Sequence, residues 1–199
     1  MNTTRFDCPA GEEKDKEKKD EGMAARLLKM RTILLAGEID KESAQRVISQ
    51  LLLLSSEDPA KPIRLFIDSP GGDADAGYAM FDVIRFVEAP VLTICTGLAA
   101  SAAVIVLLAS PRERRFSLPN ARLLIHQPST GIHGSASDIQ IEASEILKIR
   151  EKINKLISEE TGQPVEKVAK DTHRNFWMSS KEAQEYGLVG KVVSSIKEL

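Results

Sequence analysis

The chain has 199 residues, 42% of them hydrophobic and 28% charged, so it can bury one core and is predicted to form one domain with appendages. Its net charge of −2 at pH 7, without a basic run, argues against nucleic acid and against an anionic membrane surface as partners. The first thirty residues lack the apolar core of a signal peptide, so the cytoplasm is the predicted location.

The amino-terminal segment is polar and contains the charged run EEKDKEKKDE at residues 12–21, which can bury nothing. We therefore predict a mobile tail over residues 1–22 and a folded domain over residues 23–199. Cys8 and Cys95 have neither metal-ligand spacing nor a disulfide pattern, so both are predicted to be plain thiols.

The first half of the folded part alternates strands and helices with short links. This order predicts parallel strands joined by right-handed crossovers, and so an α/β core. Asp40 is predicted to cap the second helix, whose apolar positions Ala44, Val47, Ile48, Leu51 and Leu52 fall at helical spacing. The predicted elements are a helix Met23–Lys29, a strand Thr32–Ala36, a helix Lys41–Ser55, a strand Ile63–Ile67, a turn Asp68–Asp73 and a helix from Ala74 to about Val87.

The next segment, Val91–Ser110, has twenty residues without a charge. A transmembrane helix is one interpretation. The β-branched start and the Thr-Gly break favour a strand Val91–Cys95, a turn Thr96–Ala99 and a helix from Ala100 to Leu108. That arrangement places Ser101 in the first helical turn, where it either caps a core helix or serves as a nucleophile beside unpaired N–H groups.

Loops at the carboxyl ends of parallel strands lie side by side, so we expect Gly72 and Ser101 to meet at one mouth. A glycine pair there either aims a backbone N–H at a ligand or forms an ordinary tight turn. A further strand, Arg122–Ile125, ends at His126, which is either structural or a general base. His133 lies in a predicted loop and His173 at a charged helix end, where surface roles are expected.

One long amphipathic helix is predicted over Ser137–Thr161, with apolar residues at helical spacing. At about 25 residues it would extend roughly 37 Å, so it either projects to pack on another subunit or lies along the surface. Gly162 ends it, and Ser179 with Glu182 forms a capping box. The remaining predicted elements are a helix from Pro164 to Thr172, a helix Lys181–Tyr186 and a strand Leu188–Val193.

Several motifs together, IDSPGGDADAGYAMFDVI, ICTGLAASAA, ARLLIHQPSTG, DIQIEASEILKIREKIN and DTHRNFWMSSKEAQEYGLV, resemble the ClpP family of cytoplasmic serine peptidases from about Arg26 to Val193. The resemblance implies the ClpP/crotonase fold, a spiral of β-α units with a projecting handle at about residues 127–161. It further implies two stacked heptameric rings, and unfolded polypeptides fed in by an ATP-driven Clp-type AAA+ unfoldase.

By the same resemblance Ser101 is the nucleophile, His126 is the general base, and the N–H groups of Gly72 and Ala102 form the oxyanion hole. No cofactor or metal is implied for this chain, since ATP is used by the unfoldase. The third triad position, an aspartate in the family, is matched by Asn175, and Asp171 lies a full helical turn away. Ala102 and Ala103 replace Met-Gly, and Arg64 and Phe66 stand at the outward positions that receive the unfoldase.

The function predicted is therefore a serine endopeptidase subunit with low activity alone, working in a ring shared with an aspartate-bearing paralogue. One alternative is a mainly structural ring subunit that does not cut. Another is a crotonase-type acyl-CoA enzyme, which shares the fold and its paired N–H donors.

Overall fold

The computed structural model describes residues 22–129 and 131–199. The charged tail predicted for residues 1–22 lies outside the described part of the chain except at Gly22, where residues 22–29 form helix α1. Cys8 also lies outside it. The division into a tail and a domain therefore stays a prediction.

A mixed sheet forms the centre of the described residues. Its main path runs β1-β2-β3-β4-β7 with every pair parallel, while β5 pairs in parallel with the far end of β3 and carries β6 antiparallel at its edge. The strands are β1 Thr32–Ile39, β2 Ile63–Gly72, β3 Val91–Ala100, β4 Arg115–Ser117, β5 Arg122–Ile125, β6 Phe176–Ser179 and β7 Lys191–Val192.

Helices connect these strands and cover the sheet. They are α2 Lys41–Glu57, α3 Ala74–Phe86, α4 Ala102–Leu107, α5 Ala136–Thr161, α6 Val165–Asp171 and α7 Ser180–Tyr186, with 3₁₀ turns at Arg112–Arg114 and Ile196–Glu198. The strand and helix alternation with parallel pairing confirms the predicted α/β class, because parallel neighbours need such crossovers.

Helix α2 begins as predicted, because Asp40 and Ser43 form a reciprocal capping box. Its buried face is Ala44, Val47, Leu51 and Leu54, and the prediction for Leu52 is wrong, since Leu52 is 44% exposed. At 100° per residue Leu54 falls near Val47 around the helix axis, whereas Leu52 lies about a quarter turn beyond Leu51 and away from the sheet.

The two predicted turns, Asp68–Asp73 and Thr96–Ala99, are wrong. Residues 68–72 stay in β2 and residues 96–99 stay in β3. The β2–β3 pairing has a register shift between Ile67 and Ser69, and the β1–β2 pairing has one between Ala36 and Glu38. The turns were predicted because proline and glycine usually interrupt strands. An irregular strand can nevertheless contain both residues at positions where the hydrogen-bond ladder is interrupted. The carboxylate of Asp68 accepts from the Leu98 backbone N–H at 2.9 Å, which ties the two irregular segments together.

The apolar segment Val91–Ser110 is divided between β3 and α4, and all six residues of α4 are buried. It belongs to the core. Across residues 22–129 and 131–199, no helix has both the length and the apolar character needed to cross a membrane.

Helix α5 has 26 residues, and its capping box uses Ser135 and Asp138. Its buried residues, Asn154, Leu156, Ile157 and Thr161, all fall in the last third, whereas Ile139, Ile141 and Leu147 are exposed. The burial of α5 is therefore concentrated in its carboxyl-terminal third, and the handle expected at about residues 127–161 stays a prediction.

The root of α5 is fixed by a buried ion pair. The Glu160 carboxylate contacts the guanidinium groups of Arg115, which is 1% exposed, and of the half-exposed Arg85. Arg115 also donates to the Glu160 carbonyl oxygen at 2.9 Å. Burial lowers the pKa of Arg115 from its ordinary value, and the Glu160 charge opposes that change.

Candidate active site

Ser101 sits between β3 and α4 in an unusual backbone conformation. Its φ of 56° and ψ of −121° are rare for a residue with a side chain and store about 1–3 kcal/mol of strain. Its backbone N–H donates to the Leu124 carbonyl oxygen at 3.0 Å, which fastens it to β5. Its hydroxyl makes no capping hydrogen bond to α4, so the helix-cap interpretation does not describe this side chain.

Gly71 lies against Ser101 because the ends of β2 and β3 remain adjacent, and Gly72 lies against Ile39 of β1. A Cβ atom on Gly71 would stand 2.5 Å from the Ala100 carbonyl oxygen and 2.8 Å from the Ser101 Cβ. A Cβ on Gly72 would stand 2.2 Å from the Ile39 carbonyl oxygen. Both glycines also have positive φ, so no other residue fits either position without moving its neighbours.

The backbone N–H of Gly71 is already used, since it donates to the buried hydroxyl of Ser69 at 3.1 Å. Ala102 is the first residue of α4, and the first N–H groups of a helix have no acceptor within it. Gly72 and Ala102 both line the cavity that contains Ser101.

His126 follows β5 directly and is half-buried in the wall of the same cavity. The next residue, Gln127, holds this segment in place. The Gln127 backbone N–H donates to the Thr172 carbonyl oxygen at 2.6 Å, and its side-chain amide donates to the His173 carbonyl oxygen at 2.9 Å. His133 and His173 are exposed, as expected from the sequence.

Asn175 is brought near His126 by the antiparallel pairing of β5 with β6. Ile125 is opposite Phe176, so one step further the ladder register aligns His126 with Asn175. Strand β6 was not predicted from the sequence. Asn175 is exposed and is not part of the cavity wall.

Ser101 and His126 line the same cavity, and continuing the β5–β6 register places Asn175 opposite His126. Over residues 22–129 and 131–199, no hydrogen bond links Ser101, His126 and Asn175 through their side chains. Catalytic hydrogen bonds are often long in an unliganded site and tighten when substrate binds.

Asp171 has other partners. Its carboxylate accepts from the Tyr186 hydroxyl and from the Lys167 ammonium, each at 2.9 Å. Burial, together with this hydrogen bond, raises the pKa of Tyr186 above its usual range. These contacts support the expectation that Asp171 does not stand in for the missing aspartate.

The cavity measures about 500 Å³, within the range of small-molecule and peptide sites. Its lining combines apolar residues of α4, β5 and α5 with Ser101, His126, Asp73 and Asp75. The lining residues that the sequence did not assign to the site include Asp73, Asp75, Val104, Ile105, Ile125, Ile146, Ile149, Ile153 and Ile157.

Among the described residues, no group of three or more His, Cys, Asp or Glu side chains is arranged to hold a metal ion. Burial raises the pKa of the Cys95 thiol to about 12, so it stays protonated near neutral pH.

Comparison with known proteins gives one consistent result. The profile of the Clp protease family matches residues 14–196. The ATP-dependent Clp protease proteolytic subunit 2 of Treponema denticola is 54% identical over 188 residues, covering 94% of each chain. Its counterpart in Treponema pallidum is 48% identical over 194 residues, which cover 96% of this chain and 98% of the relative.

A solved structure agrees with these sequence relatives. It is a ClpP1 mutant from Listeria monocytogenes in which an asparagine is replaced by aspartate. It superposes with a TM-score of 0.82 at 44% sequence identity, over 88% of this chain and 98% of that one.

Proposed function

The chain belongs to the Clp protease family, and from this premise we propose that it is a serine endopeptidase whose working residues are Ser101, His126 and Asn175. It is the proteolytic subunit of a Clp-type protease. The observation that carries the residue assignment is that a strained serine and a strand-end histidine share one cavity beside a glycine pair.

In each half of the proposed mechanism, His126 accepts one proton and then gives it up. His126 accepts the Ser101 hydroxyl proton as the oxygen attacks the scissile carbonyl, and the N–H groups of Gly72 and Ala102 stabilise the oxyanion that forms. His126 then gives the proton to the departing amine. Water, activated by the same imidazole, hydrolyses the acyl-serine and restores the hydroxyl.

Asn175 limits this mechanism. Its side-chain oxygen can accept a hydrogen bond from His126 and hold the ring, but an amide has no charge to balance the imidazolium. We therefore propose that the subunit has low activity alone and shares a ring with an aspartate-bearing paralogue. Stacked heptameric rings, a Clp-type unfoldase and unfolded polypeptide substrates complete the proposed assembly, without a cofactor in this chain.

The contact with the unfoldase is proposed to be weakened. Arg64 turns its guanidinium to the Met30 carbonyl oxygen at 2.9 Å, and Phe66 packs against a small apolar cluster around Ile94 and Phe116. Neither side chain is then fully available to an incoming loop.

A mainly structural ring subunit is the second candidate. The asparagine at the third triad position and the Arg64 contact with Met30 favour it, whereas a strained serine that shares a cavity with a histidine favours catalysis. Family membership favours either candidate over an acyl-CoA enzyme of the crotonase type.

The two candidates are separated by covalent labelling with a serine-directed fluorophosphonate. We expect the native, assembled protein to react and mass spectrometry of its peptides to place the label on Ser101. Heat-denatured protein serves as the control and should not react, because activation needs the folded site. A native protein that stays unlabelled, or that carries the label on another serine, would support the structural role.

Replacing Asn175 by aspartate is expected to raise the hydrolysis of short peptides by about tenfold or more. The new carboxylate keeps the orientation of His126 and adds the charge that stabilises the imidazolium. The measurement is the initial rate per subunit, with native mass spectrometry checking that the ring is intact. An unchanged rate in an intact ring would mean that Asn175 does not limit catalysis.

A further inference from the structure

Two carboxylates stand in the wall of the proposed catalytic cavity. Asp73 and Asp75 line it together with Ser101 and His126, and both residues are exposed to solvent. Among the described residues that line this cavity, there is no lysine or arginine. The cavity thus combines an apolar wall with a rim of negative charge.

The carboxylate of Asp73 is held in one place. Its Oδ1 accepts from the backbone N–H groups of Asp75 at 2.8 Å and Ala76 at 3.1 Å, which caps α3. Its own N–H donates to the Ile39 carbonyl oxygen at 2.8 Å. Asp73 directly follows Gly72, so a fixed charge lies one residue from a proposed oxyanion donor.

A peptide bound at Ser101 and Gly72 must therefore pass beside Asp73 and Asp75. A cation on a side chain next to the scissile bond is attracted at a separation of several ångströms, and a carboxylate is repelled. Because both aspartates are exposed, solvent screens the interaction. We therefore expect a positive charge on the peptide to raise its affinity by about three- to tenfold, and a negative charge to lower the affinity by a similar factor.

We propose that Asp73 and Asp75 make this subunit selective for polypeptide segments with a lysine or arginine beside the scissile bond, and against acidic ones. The inference rests on the proposed function, since it takes the cavity at Ser101 as the peptide site. The apolar wall formed by α4 and α5 receives the uncharged neighbour of that basic residue.

The test measures binding without hydrolysis, in the full chain carrying Ser101→Ala. The probes are fluorescent hexapeptides with one central leucine, flanked on one side or the other by lysine, glutamine or glutamate. Fluorescence anisotropy should show that the lysine peptide binds about three- to tenfold tighter than the glutamine peptide. The glutamate peptide should bind about three- to tenfold more weakly than the glutamine peptide. The differences should shrink in about 1 M salt, where the Debye length is roughly 3 Å.

Matched substitutions locate the charge. Asp73→Asn keeps a good helix cap, so the double change Asp73→Asn with Asp75→Asn should abolish the lysine-to-glutamate difference without unfolding α3. Asp82→Asn, on an exposed position of the same helix, should leave the difference as it was. The proposal is overturned if the double variant keeps the discrimination, if the parent shows none, or if no peptide binds.

The result is independent of catalysis. A protein that fails to react with fluorophosphonate yet prefers the lysine peptide would retain the charge selectivity of the cavity and lose the peptidase assignment. One that reacts at Ser101 but binds all peptides equally would keep the proposed function and refute the selectivity.

Discussion

Ser101→Ala is expected to lower peptide hydrolysis by at least about 10³-fold while leaving folding and assembly unchanged. Loss of the nucleophile leaves only the residual effect of the oxyanion donors and of binding, which explains the size of the decrease. The measurements are initial rates at saturating peptide and the midpoint of thermal unfolding, taken on the same assembled preparation.

The structure explains why this variant separates catalysis from stability. The Ser101 hydroxyl makes no capping hydrogen bond, and alanine keeps the Cβ atom that a positive φ strains. Ser49→Ala is a suitable control, since its exposed hydroxyl donates to the Gln45 carbonyl oxygen within α2, and the rate of this variant should equal that of the parent. Comparable hydrolysis by the Ser101 and Ser49 variants would rule out Ser101 as the nucleophile.

Glu160→Gln is expected to destabilise the folded subunit by about 3–5 kcal/mol. The substitution removes the counter-charge of Arg115, whose guanidinium is 1% exposed and cannot reach water without opening the root of α5. The free energy of unfolding should be measured by urea titration, followed by circular dichroism at one protein concentration, because assembly also contributes to apparent stability.

Glu159→Gln is the matched control for this change. Glu159 is the preceding residue, and its carboxylate lies 3.8 Å from the Lys155 ammonium with both side chains largely exposed. Pairs of this kind contribute about 0–1 kcal/mol. Equal, small losses in both variants would mean that the root of α5 does not depend on the charge of Glu160.

Local patterns predicted much of the fold. The capping residue Asp40 correctly predicted the start of α2, and the alternation of strands and helices predicted the α/β class. The apolar spacing predicted the start of α5 to within one residue and its end at Thr161. The errors arose where long-range pairing decides the conformation. Gly71, Gly72 and Gly97 signal turns, but pairing with β1 and the Asp68 contact to Leu98 hold these segments in the sheet.

The site was predictable only in part for the same reason. Ser101 and His126 follow strands whose ends meet, so strand order alone brings them together. The position of Asn175 depends on β6, a four-residue strand, and on its register with β5, neither of which has a distinct local signal. The isoleucines of α5 were predicted to lie on one apolar face of the helix. Which residues pack against that face is decided by the tertiary structure, so their place in the cavity lining could not be predicted.

The exposed apolar residues in the first two thirds of α5 bear on how the subunit folds. Ile139, Ile141 and Leu147 are exposed, whereas Ile146 and Ile149 of the same part of the helix line the cavity at Ser101. The hydrophobic core around α4 does not include the three exposed residues. Substitutions at Ile139, Ile141 or Leu147 are therefore expected to leave the folding rate of the subunit unchanged.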